Sequence, residues 1–171
     1  MRYCLSLMMA TAAALAQGPD LKTLIGGAQA LQNTIKNYVL KSAEKMPEEH
    51  FAFKPVPEVR SFAALLGHIA DAQYAFCSAV LGEKNPAPGV EKTKTTKAEL
   101  TAALQEAFAY CDKAYAISDA QAAELVKFFG AERTKLNVLS FNTAHTWEHY
   151  GNLVTYMRMK GIVPPSSERS R

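Results

Sequence analysis

Two histidines one helical turn apart are the first residues of this sequence whose type and spacing could do chemistry. His145 and His149 form an H-x3-H pair near the C-terminal end of the chain. Residues i and i+4 share one face of a helix, so both imidazoles can reach a single divalent ion. The spacing alone leaves a second interpretation open, because paired helical histidines also occur as hydrogen-bonded core or surface residues.

A third histidine favours the metal interpretation. His68 falls on the inward stripe of a different predicted helix, where its ring nitrogens need partners. Three of the four histidines are therefore predicted to face the interior, and we expect His68, His145 and His149 to hold one divalent metal ion. His50, in a proline-rich connection, is interpreted as a loop residue.

Four long helices must position these residues. Apolar residues recur at three- and four-residue spacing and there is almost no strand-like alternation, so the chain is predicted to be all-α, a four-helix bundle. The predicted helices cover about residues 20–45, 61–81, 96–116 and 136–160. Residues 82–95 are predicted to be a long surface crossover, and residues 127–135 a loop around Gly130.

Local signals mark several helix ends. Ser61 is a candidate N-cap for the second helix, and Thr96 and Glu99 form a capping box at the start of the third. Gly82 and Gly161 follow the second and fourth helices, where a residue in the left-handed conformation commonly ends a helix.

The fourth helix has a polar middle in its predicted core stripe. At helical spacing this stripe contains Val138, Phe141, His145, His149, Asn152 and Tyr156. An unpartnered buried polar group costs about 1–3 kcal/mol, so the stripe needs partners inside the bundle. A metal ion shared by the imidazoles would provide one.

The N-terminal residues are predicted to be a signal peptide. Arg2 precedes an apolar run that ends in Ala14-Leu15-Ala16, the small-residue pattern that signal peptidase cuts, so residues 1–16 are expected to be removed on export. A buried or membrane-anchoring helix is the alternative, but the run is short for a bilayer. The mature domain would span residues 17–166, with a flexible tail at 167–171, and would be secreted or periplasmic.

Charge and hydropathy exclude some partners. The formal net charge is only +3 and falls by one with Arg2, which is too weak to indicate a nucleic-acid partner. No further segment is predicted to cross a membrane, so no membrane association is expected after signal cleavage. The expected partner is a small-molecule substrate, and a homodimer stays open.

Two cysteines, Cys77 and Cys111, remain once Cys4 leaves with the signal peptide. An oxidising compartment permits a disulfide between them. The helical pattern does not require one, and we expect two separately buried small residues.

Several short motifs together resemble the DinB-like (YfiT-like) family of metal-binding four-helix bundles. The resemblance covers about residues 20–165. Its motifs are Met46-Pro47-Glu48-Glu49, Lys54-Pro55, Leu65-Leu66-Gly67-His68-Ile69, His145-Thr146-Trp147-Glu148-His149-Tyr150-Gly151-Asn152, Gly161 and Pro164-Pro165.

The resemblance implies an up-down-down-up bundle with a long crossover between helices two and three. It also implies that the three histidines bind a divalent ion, zinc or nickel, with positions left open for water or substrate. Parallel helices two and three would bring Cys77 and Cys111 to similar heights. The family's last motif residue is usually glutamine, and Asn152 departs from it.

These features predict an exported metal-dependent hydrolase or transferase. Family members include thiol-cofactor transferases, but an exported protein lacks the cytoplasmic thiol pool, which favours hydrolysis. Glu148 and Asp71 each lie three residues after a histidine and are candidates for orienting an imidazole or moving a proton, with solvated helix flanks as the alternative. The alternative function is a non-catalytic periplasmic metal or small-ligand binding protein.

Overall fold

The computed structural model describes residues 18–168, so the predicted signal peptide at residues 1–16 and most of the predicted tail lie outside the described residues. Within this range the fold is all-α apart from one small hairpin. The helices are α1 Leu24–Lys45, α2 Phe62–Leu81, α3 Val90–Thr93, α4 Lys97–Tyr115, α5 Asp119–Ala122 and α6 Lys135–Met159, the strands are β1 Leu125–Phe128 and β2 Ala131–Thr134, and Glu48–His50 and Pro165–Ser167 are 3-10 turns.

The predicted capping residues do cap the helices. The Ser61 side chain accepts a hydrogen bond from the Ala64 backbone N–H at the start of α2, and Thr96 and Glu99 make both bonds of the capping box that opens α4. Gly82 ends α2 in the left-handed conformation, with φ of 71°. These local interactions confirm the predicted limits of α2 and α4.

The four long helices are α1, α2, α4 and α6, and each of α1 and α2 packs against both α4 and α6. Contacts at one end of the bundle show the relative directions of the helices. Among the hydrogen bonds made there, Lys97 Nζ donates to the Met46 carbonyl, Lys45 Nζ to the Val163 carbonyl and the Tyr156 hydroxyl to the Arg60 carbonyl. The starts of α2 and α4 therefore lie beside the ends of α1 and α6, which is the relation that an up-down-down-up bundle requires.

The predicted loop at residues 127–135 is wrong, because this segment belongs to an antiparallel hairpin. Strands β1 and β2 pair with Phe128 opposite Ala131, so that Phe129 and Gly130 form a two-residue turn. Both have positive φ, 49° and 77°, as the type I′ hairpin turn requires. Phenylalanine is an unusual residue for such a turn, which is why the sequence did not indicate a hairpin.

The predicted core stripe of α6 is correct only in part. Phe141 and Asn152 are exposed, whereas Asn142, Thr146 and Leu153 are buried. Because α6 packs against α1 on one side and α2 on the other, its buried face is centred about one residue further round the helix than predicted. As a result His149 is buried and His145 lies half-buried at the edge of the core.

Helix α2 has the length and apolar composition of a membrane-spanning segment, although no such segment was predicted. Of this apolar stretch, 67% is buried inside the bundle. Its apolar character follows from its central position, where it contacts α4, α6 and α3 at once.

A buried polar network crosses the middle of the bundle. Gln73 of α2 accepts hydrogen bonds from Gln32 of α1, at 2.8 Å, and from Asn142 of α6, at 3.0 Å. Its own amide group donates to Thr146 of α6 at 2.8 Å, and Asn142 also donates to the Tyr115 hydroxyl of α4 at 3.2 Å. The polar residues of α6 thus find partners on α2 and α4, which the sequence did not reveal.

Cys77 and Cys111 form a disulfide between α2 and α4, with their Cα atoms 5.2 Å apart. The expectation of two separate thiols is therefore wrong. Both cysteines are fully buried, and because α2 and α4 run in the same direction their similar distances from the helix starts bring them together. The bond closes a stretch of 34 residues that includes the crossover and α3.

We expect the Cys77→Ala/Cys111→Ala double variant to unfold with a free energy about 3–4 kcal/mol lower than the oxidised protein, because the open chain regains loop entropy when it unfolds. Urea titration measures this difference. Reduced wild-type protein is the matched control and should lose a similar amount. Equal stability of the oxidised protein and the double variant would contradict the structural role of this bond.

Candidate metal centre

The structure brings the three predicted ligands together. His68 lies in the second turn of α2, and His145 and His149 lie one turn apart in the middle of α6. The Nε2 atom of His145 is 3.3 Å from that of His68 and 3.0 Å from that of His149. One ligand atom from each residue lies within 4.8 Å of the other two.

This geometry fits a divalent ion. Zinc–nitrogen bonds of about 2.0–2.1 Å in tetrahedral directions place two ligand nitrogens about 3.3–3.4 Å apart, close to the two Nε2 separations. Among the described residues, the Nδ1 atoms of His145 and His149 are buried and lack hydrogen-bond partners. With protons on Nδ1, the Nε2 lone pairs of these rings face one another, and a shared cation would turn that repulsion into attraction.

The environment keeps two of the imidazoles neutral. Burial, followed by the neighbouring His145 and His68, lowers the pKa of His149 from 6.5 to about 4. Burial and then His68 also lower the pKa of His145, while the Glu148 carboxylate acts in the opposite direction. A neutral imidazole is the form that binds a metal, so these two rings are ready to bind near neutral pH.

Glu91 of α3 contacts the outer side of His68, with its Oε2 atom 3.3 Å from Nδ1. Its other oxygen accepts from Arg60 Nε at 2.9 Å. A carboxylate on the outer nitrogen orients a ligand histidine and raises its basicity. Neither Glu91 nor Arg60 was predicted to take part in the site, since Glu91 lies in the predicted crossover and has no fixed spacing from His68.

Gly67 allows α3 to approach this closely. A Cβ atom at Gly67 would lie 2.6 Å from the Glu91 Cα atom, which is backbone and cannot move aside alone. The glycine that precedes His68 is the one local signal that another segment packs against the site.

Asp71, one of the two candidates for orienting an imidazole or moving a proton, is bonded to the backbone of α3. Its carboxylate accepts hydrogen bonds from the backbone N–H groups of Gly89, Val90 and Glu91, at 2.7–2.9 Å. These bonds fix the first turn of α3, and with it Glu91, against α2. Asp71 therefore supports the site through the crossover, and its role in moving a proton stays a prediction.

Glu148, the other candidate, is exposed and lines a cleft of about 560 Å³ beside the site. The cleft is polar and open to solvent. Its walls also include Glu58, Arg60, Glu91 and His149. Solvent and small molecules can therefore reach the imidazole cluster from this side.

Comparison with known proteins agrees with this fold. The uncharacterized protein YjoA of Bacillus subtilis strain 168 is 29% identical over 133 residues, which cover 74% of this chain and 84% of YjoA. The crystal structure of a DinB-like protein from Bacillus cereus ATCC 10987 matches with a TM-score of 0.72 at 17% identity, over 85% of this chain and 98% of that one. The crystal structure of YjoA, a DinB-like protein, matches with a TM-score of 0.65 at 21% identity, over 86% and 99%.

The family model of the DinB superfamily matches residues 31–153, a range that contains all three clustered histidines. The chain belongs to the DinB superfamily. This confirms the family and the all-α fold class that the sequence motifs indicated, and the three-histidine cluster is compatible with a metal ion.

We expect Glu91→Gln to weaken metal binding about tenfold, because the neutral amide no longer polarises His68. Competition with a chromophoric chelator measures the affinity. Glu58→Gln, which removes a carboxylate from the same cleft, is the matched control and should bind as the wild type does. A wild-type affinity in Glu91→Gln would show that the carboxylate has no influence on the site.

We expect the metal-free protein to lose stability as the pH falls from about 6.5 to about 4. In this window the unfolded chain protonates His149 at its ordinary pKa while the folded chain does not, so the unfolded state binds more protons and stability rises with pH. His149→Ala should reduce the loss by on the order of 1–2 kcal/mol, allowing for the solvent access of the site. Urea titrations in the presence of a chelator measure the free energy of unfolding at each pH, with His50→Ala as the control. An unchanged pH dependence in His149→Ala would show that His149 does not cause the loss of stability.

Proposed function

We propose that the protein is an exported metal-dependent hydrolase or transferase that holds one zinc or nickel ion on His68, His145 and His149. The observation that carries the proposal is the convergence of three ring nitrogens, from two helices, beside a cleft that is open to solvent. Metal-assisted hydrolysis is the favoured chemistry, because an exported protein does not meet the cytoplasmic thiol pool.

Two observations support export. The apolar N-terminal run with its Ala-x-Ala end has the pattern of a cleaved signal peptide. The disulfide between Cys77 and Cys111 joins two core helices, and such bonds persist in oxidising compartments.

The residues around the cleft have separate roles in this proposal. A divalent ion on the imidazoles would supply a Lewis acid. Arg60, held by Glu91, places a positive charge at the cleft wall, where it would attract a negatively charged substrate group. The Glu148 carboxylate, on the same wall, is placed to accept a proton from a group that enters the cleft.

The site favours this function over non-catalytic binding. A protein that only stores a metal can fill the fourth position with another side chain. Among the described residues the cluster contains three ligands and no more, and His149 borders the open cleft. A small molecule in the cleft can therefore reach the histidine cluster.

The test is elemental analysis of protein purified from its own compartment. We expect about one divalent ion per chain in the wild type and in His50→Ala, and a loss of most of it in His68→Ala and His145→Ala, since two imidazoles hold a divalent ion far more weakly than three. The intact mass of the same preparation should correspond to a chain that begins at Gln17.

Full metal content in both His68→Ala and His145→Ala would overturn the ligand set. A chain that retains residues 1–16 would overturn export while leaving the metal site in place. If the two variants lose metal but the metal-loaded wild type hydrolyses no ester, amide or phosphoester, the non-catalytic binding protein is favoured.

A further inference from the structure

A second cleft, of about 340 Å³, lies next to the imidazole cluster and has a different character from the polar one. His68 and His145 form part of its wall. The rest is mainly apolar, from Ala72, Ala75 and three aromatic rings, Phe76, Phe129 and Phe141. The cluster therefore lies between a polar cleft and an aromatic cleft.

The aromatic rings of this cleft form one group around His145. The centroid of Phe76 is 5.5 Å from that of Phe141, 6.1 Å from that of Phe129 and 5.4 Å from the His145 ring. Phe141 also stacks on His145 at 6.3 Å. Two of these rings remain open to solvent, since Phe129 is 71% and Phe141 46% exposed.

Phe129 lies at the edge of the aromatic cleft although its backbone conformation is unfavourable for a bulky residue. Its φ of 49° lies in the left-handed region, which bulky residues seldom adopt, and its side chain gains little burial in return. An unfavourable conformation that holds an exposed ring over a cleft indicates a binding role more readily than a structural one.

The cleft has no free charge with which to bind an ion. Asp71, its one carboxylate, is already bonded to three backbone N–H groups, and the remaining polar atoms belong to the two histidines. A small molecule that fits must therefore be apolar over most of its length and polar only where it meets the histidines.

We infer that this cleft binds the aryl or alkyl part of the substrate, with Phe129 and Phe141 as specificity-determining residues. The polar head of the same molecule would lie at the three histidines, and in this respect the inference rests on the proposed metal site. Charged and strongly polar molecules without an apolar part would bind less tightly.

The test uses two ligands with the same metal-binding head. Protein loaded with cobalt(II) is titrated with acetohydroxamate and with benzohydroxamate, and the visible absorption of the metal reports binding. We expect benzohydroxamate to bind roughly tenfold more tightly, a difference of about 1.4 kcal/mol, because its ring leaves water for the aromatic cleft. Phe129→Asn and Phe141→Ala should each reduce this preference to about threefold or less.

Phe129→Asn is chosen because Asn-Gly is the preferred pair in a type I′ turn, so the variant should keep or raise the melting temperature while it loses the ring. Metal content and affinity for acetohydroxamate should stay at wild-type values in both variants. Met159→Asn, which removes an exposed apolar side chain of α6 outside the cleft, is the control and should keep the wild-type preference.

A metal-free measurement separates this inference from the proposed function. Benzyl alcohol is titrated into chelator-treated protein, and we expect saturable shifts of the Ala72 and Ala75 methyl NMR signals that disappear in Phe129→Asn. If the protein binds no metal, the proposed function fails, and these NMR shifts alone show whether the cleft binds an apolar group. The inference would be overturned by equal affinities for the two hydroxamates or by the absence of the NMR shifts. It would also be overturned if the protein were a dimer that Phe129→Asn dissociates without a change in ligand preference.

Discussion

The register between α2 and α6 is the constraint on which the site depends. A slide of one turn, about 5.4 Å, would separate His68 from His145 beyond the reach of a shared ion. Apolar packing alone tolerates such slides, since one aliphatic side chain can replace another. The buried hydrogen bonds from Gln73 to Thr146 and from Asn142 to Gln73 do not tolerate a slide. A slide would leave each amide without a partner in the core, which costs about 1–3 kcal/mol of stability per group.

The crossover between α2 and α4 contributes a second level of support. Asp71 holds the first turn of α3 through three backbone N–H groups, and Gly67 lets that turn approach α2 closely. The consequence is that Glu91 reaches the outer nitrogen of His68. A segment that looks like a polar connection in the sequence thus becomes part of the surroundings of His68, and the disulfide from Cys77 to Cys111 closes the same segment.

The sequence predicted what local interactions determine. Ser61, Thr96, Glu99 and Gly82 act through neighbours within a few residues, and their roles can be read from type and spacing. The histidines were predicted from helical periodicity, which is also local. The structure places them together, and their role as ligands stays a prediction.

What the sequence did not predict depends on partners far along the chain. The contact of Glu91 with His68, the bonds of Gln73 and the pairing of Cys77 with Cys111 each depend on how two helices lie against each other. The buried face of α6 was misplaced by about one residue because two neighbouring helices, α1 and α2, define it jointly. The hairpin was missed for a different reason, since Phe129 adopts a backbone conformation that its residue type does not indicate.

The imidazole cluster is a source of instability that the rest of the fold must offset. His145, which is half-buried, and His149, which is buried, have Nδ1 atoms without partners among the described residues, and three Nε2 atoms lie close together without a positive charge between them. The same rings stay neutral at a pH where free histidines begin to take up protons. A chain under selection for stability alone would replace them with aliphatic residues. The polar network, the crossover and the disulfide instead hold the rings in place, so an ion shared by them would meet an ordered site and little entropy would be lost on binding.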